Sequence, residues 1–309
     1  MATSSVEQIA IIGFGEAGGI FAEDIARQGA SVRVFDILLK SKQHRRGMLS
    51  RAKACGVEAA DDLEHCICEA QIVISAVTAS SSLAVAKEAA KSLRTGQIFL
   101  DINAVSPQTK RLAARYIAKS KAHFVESAVM APVPPQRLKV PMLLGGPHAA
   151  EAGACLQALG MNARALSDEI GVASAVKMCR SVVMKGLEAL AIECLFAARK
   201  YRAEEAVLES LAASYPGMGW DDDLPDYLVS RVAEHGRRRA AEMRQVAEAL
   251  REVGVEPRMA LATAHRHQQF VNQMAAKDLA FQDARPFSWK RLADALGRGA
   301  RAGTRRKRR

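Results

Sequence analysis

The 309-residue chain has no run approaching the ~20 consecutive apolar residues that a membrane helix requires, so a membrane span is not expected. Its first residues, MATSSVEQ, carry no basic segment and no cleavage signal before an apolar stretch begins, and a cytoplasmic location is expected. The six cysteines lack the paired spacing of zinc ligands, and no metal site is expected from them. Cys66 and Cys68, one residue apart, read as lying on opposite sides of a strand, a poor chelate. Most of the thiols fall in apolar or helical stretches and are expected to be buried and reduced. No internal repeat is present.

The chain does carry 49% hydrophobic and 25% charged residues, the balance of a globular protein, and a length that favours two domains. The formal charge of +11 suggests a polyanionic partner until its placement is considered. Seven of those charges sit at the end, on Arg298, Arg301, Arg305, Arg306, Lys307, Arg308 and Arg309, with no acid among residues 298–309. That segment cannot bury apolar surface and is expected to be a disordered tail, either solvated or in weak contact with a polyanion. Nucleic acid is not otherwise expected as a partner.

Strand and helix signals alternate through the first half. Ile9-Ala10-Ile11-Ile12 is a short buried strand, residues 17–28 a helix closed by Gly29, and Ser31 to Phe35 a second strand ending at Asp36. Further strands are expected at 71–75, 97–100, 123–125 and 141–144. From Gly171 onward the pattern is helical only, over 172–200, 203–214, 225–252 and 258–279. The fold class is therefore an α/β Rossmann-type, doubly wound parallel sheet followed by an all-α domain. The expected boundaries are 1–168 for the dinucleotide-binding domain, 169–297 for a helical substrate and dimerisation domain, and 298–309 for the tail.

Gly13-Phe14-Gly15-Glu16-Ala17-Gly18 follows a strand, opens a helix, and has Asp36 at the end of the next strand. Those three contexts turn a weak GxGxxG pattern into a dinucleotide site. Gly13 allows the tight turn, Gly15 lets the backbone approach the pyrophosphate, and Gly18 allows close helix packing. The helix N-terminus meets the phosphate charge. Asp36 suits the ribose hydroxyls of NAD, although Lys40, Lys42, Arg45 and Arg46 come soon after it and leave NADP open. Ala76 and Val77, just after the strand at 71–75, complete the expected cofactor set with Asn103.

Beyond this fingerprint, three segments resemble the β-hydroxyacid dehydrogenase superfamily, which contains the 3-hydroxyisobutyrate and 6-phosphogluconate dehydrogenases. Asp101-Ile102-Asn103-Ala104-Val105-Ser106-Pro107 is similar to its D-x-S-T-x-S-P segment. Phe124 to Met130 is similar to F-L-D-A-P-V-S, and Gly171 to Lys177 resembles G-x-G-x-x-x-K, whose lysine is the family's catalytic residue. The stretch from Lys177 to Leu190 and the run His235-Gly236-Arg237-Arg238-Arg239 resemble a branch with a distinct C-terminal domain, DUF1932. The chain departs from the family where Met130 replaces a substrate-holding serine, Ala131-Pro132 a Gly-Gly pair, Asn103-Ala104 a serine-threonine pair, and Ser181 an asparagine.

The resemblance implies hydride transfer between a nicotinamide and a small anionic hydroxy acid or its keto or semialdehyde partner, with Lys177 as general acid and base. Ser181 lies one helical turn beyond Lys177 and is expected to help position the reacting oxygen, with Met130 and Asn103 lining the substrate. His235 and Arg238, in the densest cationic group of the folded part, are expected to hold the substrate anion or to form a solvated helix face. Lys185 is read as rotated away, binding an anion or snorkelling to solvent. A homodimer is expected from the apolar surface of the long helix after Val172. Imine reduction and a non-catalytic dinucleotide sensor are the competing readings.

Overall fold

In the computed structural model, residues 6–284 and 286–297 are described; the basic tail expected at 298–309 lies outside them. Contacts divide the chain into two compact units, one ending at Cys179 and the other beginning at Arg180. The division falls inside a helix, whereas the boundary expected at 168/169 is where the strand signals end.

The first unit is built on eight strands: β1 (Gln8–Ile12), β2 (Ser31–Phe35), β3 (Glu58–Ala59), β4 (Ile72–Ser75), β5 (Ile98–Asp101), β6 (His123–Val129), β7 (Met142–Gly145) and β8 (Ala163–Ser167). They form one sheet in the order β3-β2-β1-β4-β5-β6-β7-β8. The helices of this unit are α1 (Glu16–Arg27), α2 (Arg45–Ala54), α3 (Leu63–Ile67), α4 (Ser82–Ala89), α5 (Pro107–Ile117), α6 (Val133–Gln136) and α7 (Ala149–Ala158). Strands β1, β4 and β5 are almost wholly buried, as parallel strands covered on both faces must be, and they read as continuous apolar runs for that reason. Where strands give way to helices, local caps set the start: Ser106 Oγ accepts from Thr109 N at 3.3 Å and Pro107 opens α5.

Strands β1 to β6 pair in parallel, but β7 runs antiparallel to β6. The sheet is thus mostly parallel, as the doubly wound pattern implies, with one antiparallel pairing, β6 with β7. The link from Met130 to Pro141 contains Pro132, Pro134, Pro135 and Pro141, and its one α-helix, α6, has four residues. It cannot form the crossover helix that a parallel return requires, so the chain doubles back. Cys66 and Cys68 are likewise not on a strand: Cys66 lies in α3 and Cys68 at its C-cap. Cys66 is buried, and burial pushes its thiol up to about 12. Cys179 and Cys194 are exposed, contrary to the expectation of buried thiols, because each falls on an outward face of its helix.

The long helix α8 (Val172–Tyr201) runs from the first unit into the second. The second unit continues with α9 (Glu204–Ser214), α10 (Leu224–Arg251), α11 (Arg258–Ala275) and α12 (Trp289–Gly297). Its apolar core includes Leu195, Trp220, Val229, Val232, Phe270 and Trp289, with Phe196 edge-on to Phe270 at 5.5 Å. Helices α10 and α11 approach closely at Gly236, where a Cβ would stand 2.5 Å from Val271 Cγ1. Among the described residues no helix is long and apolar enough to cross a membrane.

Candidate active site

Four parallel strands in one register place Ile12, Ser75, Asp101 and Glu126 side by side at the C-terminal edge of the sheet. The chain leaves that row as the glycine turn after Ile12, as Ala76-Val77 after Ser75, and as Ile102-Asn103 after Asp101. All of the expected cofactor loops therefore open at one edge, where ligands of open α/β sheets bind.

Gly13 has φ +95°, and a Cβ there would overlap the Ala76 carbonyl, so only glycine fits. A Cβ on Gly18 would overlap the Gly13 carbonyl oxygen. Gly15 is different: nothing lies within 4 Å of where its Cβ would be, so that side of the turn is open. The turn is held from behind. Phe14 N donates to Asp36 Oδ2 at 2.8 Å while Leu38 N donates to Asp36 Oδ1 at 3.0 Å. Arg51, on α2, donates to the Phe14 and Gly15 carbonyls at 2.7 and 2.9 Å, and its guanidinium lies 4.6 Å from the centre of the Phe14 ring. Glu16 and Ala17 form the first turn of α1, whose N-terminal amides face the same opening. The cradle fits a pyrophosphate, and Asp36 keeps a lone pair on each oxygen for ribose hydroxyls.

Asn103 is buried and fully engaged. Its Oδ1 accepts from Val77 N at 2.7 Å, and its Nδ2 donates to Asp101 Oδ1, Ser75 Oγ and Ser82 Oγ at 2.6, 3.0 and 3.3 Å. Its side chain ties the Ala76-Val77 loop to the next strand. Beneath it Lys110, 1% exposed, donates to the Asp101 carbonyl at 2.8 Å and lies 3.2 Å from Asp101 Oδ1. Met130 is half-buried just beyond β6, its N donating to the Pro141 carbonyl at 2.8 Å.

The start of α8 is fixed to the same row. Buried Glu126 accepts from Gly171 N at 2.7 Å and Ala173 N at 3.0 Å through Oε1, a carboxylate on a helix N-terminus. Half-buried Lys177 stands in the second turn of that helix, four residues past Ala173.

Within the helical unit, Ser181 Oγ accepts from Lys185 Nζ at 3.1 Å, and Lys185 also lies 3.1 Å from Glu242 Oε2. Lys185 is buried, which corrects the snorkelling alternative: an acceptor on each side holds its ammonium inside. Arg238 reaches Glu242 Oε1 at 3.7 Å from a half-exposed position, so the structure brings Ser181 and Arg238 to either side of one Lys185–Glu242 pair. His235 is engaged separately, 3.2 Å from Glu234 Oε2, and burial followed by neighbouring Arg238 lowers its pKa. Arg239 turns inward and pairs with Glu188, whose carboxyl burial pushes up although Arg239 opposes it.

A family model described as the NAD binding domain of 6-phosphogluconate dehydrogenase matches residues 8–164, half of the chain. A second, a domain of unknown function, DUF1932, matches residues 198–270. The chain belongs to the β-hydroxyacid dehydrogenase superfamily, in its DUF1932 branch. It is accordingly an oxidoreductase that uses a nicotinamide dinucleotide. A conserved hypothetical protein from Sinorhizobium meliloti 1021 is 38% identical over 95% of this chain and 97% of its own, with a TM-score of 0.78. A 3-hydroxyisobutyrate dehydrogenase from Pseudomonas aeruginosa is 26% identical over 69% of this chain and 71% of its own. An imine reductase from Streptomyces aurantiacus shares the fold, at 18% identity over 89% and 97% of the two chains and a TM-score of 0.55.

Arg51, Lys110 and Glu126 support the loops at the sheet edge, and Lys185 and His267 belong to the polar cluster of the helical unit; of these only Lys185 was singled out from the sequence. Glu126 had a signal, since it occupies the aspartate position of the F-L-D-A-P-V-S segment. Arg51 had none, as it acts across 36 residues of sequence on two backbone carbonyls.

His267, on α11, is fully buried with Nε2 3.7 Å from Glu188 Oε2. Burial, with Arg239 and Lys185 nearby, lowers its pKa to about 4. An unfolded imidazole titrates near 6.5. The unfolded chain therefore takes up this proton first, and the stabilisation present above pH ~6.5 is lost as the pH falls toward ~4, by at most about 3 kcal/mol. Glu188, with a raised pKa, acts in the opposite sense. The denaturant midpoint is expected to drop less between pH 6.5 and 4.5 in His267→Gln than in the wild type; equal drops would remove His267 as the source.

Proposed function

We propose that the protein is an NAD-preferring dehydrogenase of a small anionic hydroxy acid, or the reductase of its keto or semialdehyde partner, with Lys177 as the general acid and base. The observation that carries this reading is the anchoring of α8 by Glu126 on the row that also launches the glycine turn. A bound nicotinamide dinucleotide supplies or accepts the hydride. In oxidation, neutral Lys177 Nζ takes the hydroxyl proton as the carbinol hydrogen leaves with both electrons, and the C–O single bond becomes a carbonyl. In reduction Lys177, protonated, returns the proton to oxygen. Within the helical unit Ser181, His235 and Arg238 are the proposed donors to the substrate, with Lys185 orienting Ser181 so that its own O–H points outward. Asn103 contributes by fixing the Ala76-Val77 loop.

Three features support NAD over NADP. Asp36 offers a carboxylate where a 2′-phosphate would have to sit. The two residues after it, Ile37 and Leu38, are apolar and exposed. Of the basic groups nearby, Lys40 lies 5.5 Å from the centre of the Phe35 ring, and Arg45 donates to the Leu39 carbonyl at 3.1 Å and to Asp61 at 2.7 Å.

Met130 favours a second reading. With a thioether in place of a serine hydroxyl, the wall beside it is less suited to a carboxylate and better suited to the apolar ring of an imine. A panel of hydroxy acids, keto acids and cyclic imines, run with both dinucleotides on wild type and Lys177→Ala, tests these alternatives. Hydroxy-acid turnover with NAD is expected, with kcat lowered about 10²- to 10⁴-fold in Lys177→Ala and dinucleotide affinity retained. Turnover of imines alone would replace the reading with imine reduction, and tight dinucleotide binding without any turnover would replace it with a sensor.

The proposed assembly is a homodimer. Val176, Val183 and Leu190 recur every seven residues along α8 and are 40, 70 and 54% exposed, an apolar stripe that a second copy would cover. Sedimentation at micromolar concentration should show a dimer for the wild type and a monomer for Val183→Glu; a wild-type monomer contradicts the assembly.

A further inference from the structure

At the opposite edge of the sheet from the glycine turn, three side chains converge that hydride transfer does not use. His123 is the first residue of β6 and pairs in register with Ile98, the first residue of β5. Because β7 runs back along β6, it delivers the next turn to the same edge, with His148 at the N-cap of α7 and Glu151 in its first turn. One ligand-capable atom from each of the three lies within 4.8 Å of the others. His148 Nδ1 stands 3.3 Å from Glu151 Oε2. The two imidazoles are stacked face to face, with centroids 3.5 Å apart and planes 5° from parallel. His123 Nδ1 is buried without a hydrogen-bond partner.

We infer that His123, His148 and Glu151 form a binding site for a divalent transition-metal ion that joins β6 to α7. A buried ring nitrogen without a partner is costly unless something receives its lone pair or proton. The protein groups gathered beside it are a second imidazole and a carboxylate, the donors that such ions take. Two imidazoles and one carboxylate select zinc, nickel, copper or cobalt over magnesium and calcium, which prefer all-oxygen shells. The stacked rings direct their lone pairs side by side, so loading requires the His148 ring to turn about its terminal torsion. Its side chain is 37% exposed and that of Glu151 61%, so the movement meets solvent rather than packed core. Donors ~2.1 Å from a tetrahedral ion stand about 3.4 Å apart, so the present spacing has to contract by little more than about 1 Å. Three protein ligands leave one position to water. The loaded site would tie α7 to the start of β6, at the end of the sheet to which the antiparallel strand β7 returns the chain.

The test uses the full chain without an affinity tag, freed of metal by a chelator and titrated calorimetrically with Zn²⁺. One equivalent is expected to bind with a rise in Tm. His148→Ala and Glu151→Gln, both at surface positions, should each weaken binding at least about tenfold, since even outer-shell changes cost that much. Cobalt substitution should give a spectrum without thiolate charge transfer, and Cys66→Ser, Cys68→Ser, Cys179→Ser and Cys194→Ser should leave the equivalent intact. The inference is overturned if no equivalent binds, if binding persists unchanged in His148→Ala and Glu151→Gln, or if a cysteine variant abolishes it. None of these outcomes depends on the dehydrogenase reading.

Discussion

The dinucleotide-binding unit depends on the shared register of β1, β4, β5 and β6. Parallel pairing puts Ile12, Ser75, Asp101 and Glu126 in one row, and the loops leaving the first three strands at that row become part of the site. A one-residue slip in any of these strands would turn its side chains to the other face of the sheet. Ser75 and Asp101 would then leave Asn103, and Glu126 would leave the amides that open α8. The buried polar groups beneath the edge make such a slip costly, because each is satisfied only in this alignment. The same row positions the glycine turn, the loop at Ala76-Val77 and the helix carrying Lys177.

In the helical unit a different constraint operates. Buried Glu188 pairs with part-buried Arg239, and Lys185 with Glu242, so α8 and α10 are joined through charge rather than through apolar contact alone, while buried His267 of α11 lies beside Glu188. Removing one member of such a group leaves a buried charge without its partner, at a cost of about 3–5 kcal/mol. The arrangement therefore specifies how α8 and α10 meet. It leaves Arg238 half-exposed while Arg239, the next residue, is turned inward, which divides an apparently uniform basic run into one structural residue and one available to solvent.

What could be read in the sequence was local. Gly13, Gly15, Gly18 and Asp36 are bound by short spacing and by the strand-turn-helix context, and the helices from Val172 onward show plain periodicity. Strand β8 was not legible because Ala163-Arg164-Ala165-Leu166-Ser167 is half exposed and lacks an apolar run. The reversal of β7 was legible only in the prolines of the preceding link. Lys185 reads as a surface residue until Glu242, 57 positions later, is brought beside it. Asn103 was recognised by position, whereas the inward direction of its side chain was not legible, since Ser75, Ser82 and Asp101 converge on its amide nitrogen only in the fold. Arg51 and His123 act through partners that no spacing along the chain predicts.

The central claim is that the open face at Gly15 is where a dinucleotide's phosphates lie. Gly15 has extended backbone angles, φ −77° and ψ −157°, and beyond its chain neighbours nothing lies within 4 Å of where a Cβ would be, so Gly15→Ala is compatible with the fold and places a methyl group in the ligand's space. Titration of wild type and Gly15→Ala with NADH, alongside their unfolding midpoints, measures this directly. The account predicts an unchanged midpoint and affinity lowered at least about tenfold, equivalent to about 1.4 kcal/mol. Equal affinity in the two proteins would contradict it.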